Sequence, residues 1–157
     1  MTKEEKRQLV VDALIAHQQQ IADTAQQEMD SAQQQSNDYG ANVDRYDSFR
    51  TKMMRSRDMY ARQLSNANAS IRHLQELQRM APVEEIAHGS VVITDKQRFF
   101  LSVGAGKFSV PSFAGDGTSL DFFAISAQVP IFKLLQGKKE GDTITFNGIR
   151  QKITEVF

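Results

Sequence analysis

Apolar residues in the first half of the chain recur at helical spacing. In the second half they come in short runs separated by turns. Tyr60, Leu64, Ala67, Ile71 and Leu74 follow one another at intervals of four, three, four and three, the alternation of a coiled-coil seam. Phe49 and Met53 extend that face upstream. In the preceding stretch Val10, Leu14, Ile21, Ala25, Met29 and Ala32 drift around one face among many Gln residues. Both stripes are narrow, which fits two antiparallel helices paired along a seam better than a compact bundle. The pattern predicts helix over about residues 2–37 and again over about 48–80. Between them, Ser36-Asn37-Asp38-Tyr39-Gly40-Ala41-Asn42-Val43-Asp44 is rich in turn and cap formers. At ~1.5 Å per residue, a run of about 30 residues would make an arm on the order of 45 Å.

The period changes after residue 80. Ala81-Pro82-Val83-Glu84-Glu85 reads as a linker, because Pro disfavours helix in the residue before it. Residues 89–94 and 97–103 then read as strands around an Asp95-Lys96 turn, with further strands over 107–113 and 119–126. Pro130 to Gly137 reads as a short helix, with Pro in its first turn and Gly at its stop. Residues 143–146 and 151–156 close a hairpin around Asn147-Gly148. The expected fold class is α+β. A long antiparallel coiled-coil hairpin (1–80) and a linker (81–88) precede a small domain (89–157) with an antiparallel sheet and one short helix.

Composition narrows the chemistry. Nineteen basic and nineteen acidic residues cancel, so a globally basic nucleic-acid binder is not indicated, although a local patch is compatible. With no Cys there is neither a disulfide framework nor a thiolate metal site. No run approaches the roughly 18 apolar residues of a membrane span, and the first residues do not read as a signal peptide, so the cytoplasm is the expected location. No nucleophile–base motif or phosphate loop is evident.

The candidate chemistry sits at the helix reversal. Asp44 and Asp47 are three apart at a helix start, which places both carboxylates on one face. Hard oxygen ligands suit Mg²⁺, which keeps several waters and takes one or two carboxylates. The same spacing is the usual one for helix capping and a favourable dipole interaction. Arg45, Arg50, Lys52, Arg55 and Arg57 cluster just beyond, either as a binding patch or as a solvated face. Phe99, Phe100, Phe122, Phe123 and Phe132 are expected to fill the small core. Adjacent Phe pairs on a strand would place one ring inward and leave the outward one open to a partner. His17, His73 and His88 show no ligand spacing and read as solvent or seam residues. Met53, Met54, Met59 and Met80 read as seam fillers.

The segment from Ile125 to Phe146 carries Pro130-Ile131, Leu134-Leu135, Gly137-Lys138 and Gly141-Asp142 in that order. It resembles the C-terminal domain of the GreA/GreB transcript cleavage factors over about 35 residues. In that family a strand runs through Ser-Pro-Ile into a short helix ending Leu-Leu-Gly-Lys, then Gly-Asp and a final hairpin. Gln128-Val129 stands here before the Pro, and the loop from Gly104 to Gly117 differs from the family's usual run. The family also carries an N-terminal antiparallel coiled coil whose tip bears Gly-Asp-x-x-Glu. Asp44-Arg45-Tyr46-Asp47 keeps the acid spacing, with Val43 for the Gly and Asp47 for the Glu.

The resemblance implies an FKBP-like C-terminal domain that docks on bacterial RNA polymerase, through a segment that includes Gln128, Pro130, Ile131 and Phe132. It implies a tip that enters the secondary channel, where Asp44 and Asp47 help hold a Mg²⁺ shared with the polymerase. The protein would stimulate the polymerase's own cleavage of backtracked RNA and would be no enzyme itself. It would bind no cofactor alone and no free small-molecule substrate, and it would have no membrane partner. In that setting the basic cluster read above supplies candidates for contact with the nascent RNA 3′ end, Arg45, Arg50, Lys52 and Arg55. Two other functions remain open: plugging of the channel without cleavage, and peptidyl-prolyl isomerisation.

Overall fold

The computed structural model of the chain describes residues 1–38 and 47–157, with the backbone alone at Asp47. Helix α1 runs Lys3–Asp38 and helix α2 runs Asp47–Leu77. Six strands follow, β1 Val91–Thr94, β2 Arg98–Leu101, β3 Gly106–Pro111, β4 Ser119–Ile125, β5 Thr143–Phe146 and β6 Ile149–Val156. A short helix, α3, spans Pro130–Leu135 between β4 and β5. The architecture is α+β. By packing, the chain divides into one unit of Met1–Ala16 with His73–Phe157, and a second of His17–Arg72.

α1 opens on a side-chain N-cap. Thr2 Oγ1 accepts the Glu5 amide at 3.1 Å, and Glu4 and Glu5 occupy the first turn, where acids complement the helix dipole. Its polar length is supported by Gln–Asp pairs four residues apart. Gln8, Gln19, Gln26 and Gln34 each donate to an Asp at 2.8–3.0 Å, and Gln33 donates likewise to Asn37. Each such pair adds ~0.2–0.5 kcal/mol to a helix, which helps a segment that has little apolar surface to bury.

In the unit that holds the sheet, the strand order is β3-β4-β2-β1-β6-β5. The expectation of an antiparallel sheet is corrected at one pair, because β2 and β4 run parallel. The chain leaves β2, passes over one strand position to the edge as β3, and hairpins back as β4 into the gap. The remaining pairs are antiparallel. At the β5–β6 turn Asn147 and Gly148 both adopt positive φ, 51° and 77°, as a two-residue hairpin of this type requires.

Both faces of this sheet are covered. One face packs Phe100, Phe108, Val110 and Phe122 with Val10, Val11 and Leu14 of α1 and Leu74 and Leu77 of α2. The other packs Phe99, Leu101, Val92 and Ile153 with Ile131, Phe132 and Leu135 of α3 and Ile86 of the connection. Successive strand residues point to opposite faces, so Phe99 and Phe100 enter different cores and both are buried. The expected outward Phe of this pair is therefore core, because the second face is not open to solvent.

The α2 C-terminus has no basic residue in its last turn. Arg7 of α1 supplies one. Its buried guanidinium donates to the carbonyls of Leu77 (2.8 Å), Met80 (3.1 Å) and Gly89. Burial lowers the Arg7 pKa from its ordinary value. The three carbonyls compensate by serving as fixed partial negative charges, that of Leu77 at the negative end of the α2 dipole.

In the unit His17–Arg72 the buried stripe of α1 differs from the one the apolar residues alone predict. Gln18, Ala22, Ala25, Ala32 and Ser36 are buried and Met29 is half-buried, whereas Ile21 is exposed. These positions continue Val11 and Leu14 in steps of three and four. Ile21 lies off that register, and Gln18 and Ser36 lie on it, so hydrophobicity pointed to the wrong neighbours. On α2, Met53, Arg57, Tyr60 and Leu64 are half-buried and Ala67 and Ile71 are buried. Arg57 donates to Gln33 Oε1 of α1 at 2.8 Å.

Candidate functional site

The segment joining α1 to α2 is the first candidate. Asp44 and Arg45 lie outside the described residues, as does the side chain of Asp47, whose backbone opens α2. What is described are the flanking turns. α1 ends on Asp38 with no basic residue in its last turn, so the acid sits at the negative end of the helix dipole. α2 begins with Arg50 and Lys52 within its first two turns, at the positive end, where cations are also disfavoured. Asp38 is held there by the side-chain amide of Gln34, at 2.8 Å, whereas the helix dipole gives no reason for Arg50 at the start of α2.

The basic cluster of α2 divides into two faces. Arg50 and Arg57 are half-buried, and Arg57 is tied to Gln33 and, at 2.8 Å, to Asp58. Lys52 and Arg55 are exposed. Met59 and Arg62, also exposed, continue the same side of the helix at i+7 and i+10 from Lys52. Lys52, Arg55 and Arg62 make a solvent-facing cationic stripe with no ion pair among the described residues. Arg62 was missed because sequence proximity, rather than helical angle, defined the cluster. Such a stripe can attract phosphates.

The second candidate is the passage from β4 through α3 to β5. Gln128 and Pro130 are exposed, while Ile131 and Phe132 are 7% and 3% exposed and belong to the core. Of the four residues expected at a docking surface, two therefore face solvent, and the other two support α3 from beneath. Lys133 and Leu134 are the exposed members of the helix, with Leu134 at 40%. Gly137, at φ 82°, ends the helix, and its amide donates to Ile86 O at 2.8 Å. Ile86 N in turn donates to Lys138 O at 2.8 Å, so the connection is docked on this turn. Asp142 Oδ2 accepts the Lys139 amide at 2.9 Å and closes the turn into β5.

Two histidines that spacing leaves unrelated are brought together. His73 and His88 approach through their Nε2 atoms at 2.7 Å. Fifteen residues separate them, and only the reversal after α2 joins them. Among the described residues, no group of three or more His, Cys, Asp or Glu could hold a metal ion, and no helix is long and apolar enough to cross a membrane. Comparison of the chain with protein-family models, with curated proteins and with solved structures gave no match.

Proposed function

We propose that this chain is a Gre-like transcription factor. In this reading the two long helices form an antiparallel coiled-coil hairpin, and the sheet unit is an FKBP-like domain that docks on bacterial RNA polymerase. The hairpin end enters the secondary channel and stimulates cleavage of backtracked RNA. The observation that carries the reading is the β4–α3–β5 passage. Pro130 opens α3, Leu134 and Leu135 close it, Gly137 stops it at positive φ, and Gly141-Asp142 turn the chain into β5. These are the positions in which the sequence resembles the family, and each takes the structural role that its residue type suits.

Two further features support it. The basic stripe of Lys52, Arg55 and Arg62 lies on the helix that leaves the acidic join, where it can attract an RNA 3′ end by salt-dependent attraction to phosphates. The acids Asp44 and Asp47 offer the hard carboxylates that a shared Mg²⁺ takes. A second metal can stabilise the attacking and leaving oxygens of a phosphodiester displacement.

The test is transcript cleavage on a stalled, backtracked polymerase complex, with and without the protein. Faster cleavage that is lost in Asp44→Asn and Asp47→Asn, with polymerase binding intact, is the expected result. Asn caps a helix about as well as Asp, so that loss isolates the charge. Binding without stimulation at any Mg²⁺ concentration would end the activator reading and leave a channel-plugging regulator. Absence of polymerase binding, with turnover of a proline peptide, would favour an isomerase instead.

A further inference from the structure

His73 lies in the last turns of α2, and His88 lies in the connection from α2 to β1. Their rings are tilted by 39° with centroids 5.0 Å apart, and the Nε2 atoms face each other at 2.7 Å. Two nitrogens on one zinc ion, with bonds of about 2.0–2.1 Å at a tetrahedral angle, would stand about 3.3 Å apart. The observed spacing suits a hydrogen bond through a single proton. On the α2 side Glu76 Oε2 is 3.6 Å from His73 Nδ1. On the α3 side His88 meets the uncharged Phe132 ring, with centroids 6.1 Å apart. Glu84 and Glu85 of the connection make no ion pair with either ring. Among the described residues, Glu76 is the charged side chain within ion-pair distance of the pair.

A bond between two imidazole nitrogens needs one N–H and one lone pair. It survives when both rings are neutral in complementary tautomers, and it survives when one ring is cationic. It cannot survive when both rings are cationic, because each Nε2 then carries a hydrogen and the two charges repel. We infer that His73 and His88 form a proton-operated latch, which fastens the connection to the end of α2 until the pair takes up its second proton. Burial first, and then the charge of His73, push His88 below the ordinary histidine range, so the latch stays closed at neutral pH. Its release loosens a segment with neighbouring structural tasks. Gly89 donates to Leu101 O at 2.6 Å and accepts from Arg7, and Ile86 fills the core under α3.

The test is a nuclear magnetic resonance titration of the full chain from pH 8 to 4.5, reading the imidazole nitrogens and the amide protection factors of residues 84–90. His88 is expected to titrate below about 6.5, the usual histidine value, and protection is expected to fall about tenfold across the same pH interval. The amide of a His88→Gln variant can donate to or accept from His73 in either protonation state, and it does not titrate. Protection in that variant should stay flat. In His73→Gln the remaining His88 should move up towards the ordinary range, a readout that needs only a folded chain. The latch is overturned if His88 titrates in the same place with and without His73, or if the fall in protection persists unchanged in His88→Gln.

Discussion

The two packing units solve the problem of burial in opposite ways. The unit of Met1–Ala16 and His73–Phe157 fills two cores, one on each face of its sheet, with Phe, Leu, Ile and Val. The unit His17–Arg72 buries Ala22, Ala25, Ala32, Ala67 and Ile71, with Gln18 and Ser36 among them. Small residues let helices approach closely but remove little apolar area from water. Its order therefore leans on side-chain pairs such as Gln26–Asp30 and on Arg57 to Gln33. The difference teaches where candidate residues can be changed without disturbing packing. In the sheet unit, Phe132, which the sequence suggested for a docking surface, is part of the core. In the helical unit, the exposed face carries charges that packing does not need.

The contrast is broken most directly by truncating one large residue in each unit. Phe122 is fully buried and packs against Phe108 and Phe113, with ring centroids 6.0 and 6.2 Å away. Phe122→Ala should cost about 3–5 kcal/mol in urea unfolding. Leu64 is only half-buried, and Leu64→Ala should cost about 1–2 kcal/mol. Equal losses would mean that the helical unit is as densely packed as the sheet unit. Next in size is Arg7→Met. It keeps the apolar stem and strips hydrogen bonds from the carbonyls of Leu77, Met80 and Gly89. A loss of about 2–4 kcal/mol is expected, read from the shift in unfolding midpoint. An unchanged midpoint would show that these three hydrogen bonds add nothing net to stability.

The exposed stripe should behave in the reverse manner. Replacing Lys52, Arg55 and Arg62 together by Gln should leave stability within about 0.5 kcal/mol per site. If the stripe meets RNA, the salt dependence of binding to a single-stranded RNA or a backtracked complex should flatten. The slope should fall by about 0.7 for each phosphate that the variant no longer neutralises. Arg57→Gln is the control, because it should lower stability by removing the bond to Gln33. An unaltered salt slope in the triple variant would mark the stripe as a solvated face.

Much of the fold was legible because its signals are local. The α2 stripe, the Asn147-Gly148 hairpin and the Pro130-to-Gly137 helix each follow from residues a few positions apart. The register of α1 was not legible, since Gln18 and Ser36 are buried there and Ile21 is not. The parallel β2–β4 pair depends on where the chain goes after β2, which no strand pattern encodes. The burial of both Phe99 and Phe100 requires knowing that helices cover both faces. At the candidate sites, exposure at Gln128 and Pro130 and burial at Ile131 and Phe132 depend on the roll of α3 against the sheet. The meeting of His73 and His88 depends on a chain reversal.

The smallest expected effect concerns a surface tie in the sheet unit. Glu140 accepts from Lys3 Nζ and, at 3.1 Å, from the Val156 amide. It thereby links the start of α1 to the end of β6. The Lys3 hydrogen bond first, and then the Val156 amide, hold the Glu140 carboxyl below its ordinary range. A carboxylate whose pKa is lower in the folded chain than in the unfolded one adds stability above the unfolded value. That contribution is lost as pH falls through the folded value. The Glu140 side chain is 44% exposed, so solvent screening keeps the contribution below about 1 kcal/mol. Glu140→Gln retains an acceptor for the amide and loses the charge. Wild type should therefore be slightly more stable than the variant at pH 7, and the two should converge as pH falls below about 4.3, the usual glutamate value. Salt should shrink the same difference at pH 7. A gap that does not narrow as pH falls, or that ignores salt, would assign the stabilisation to packing around Glu140 and not to its charge.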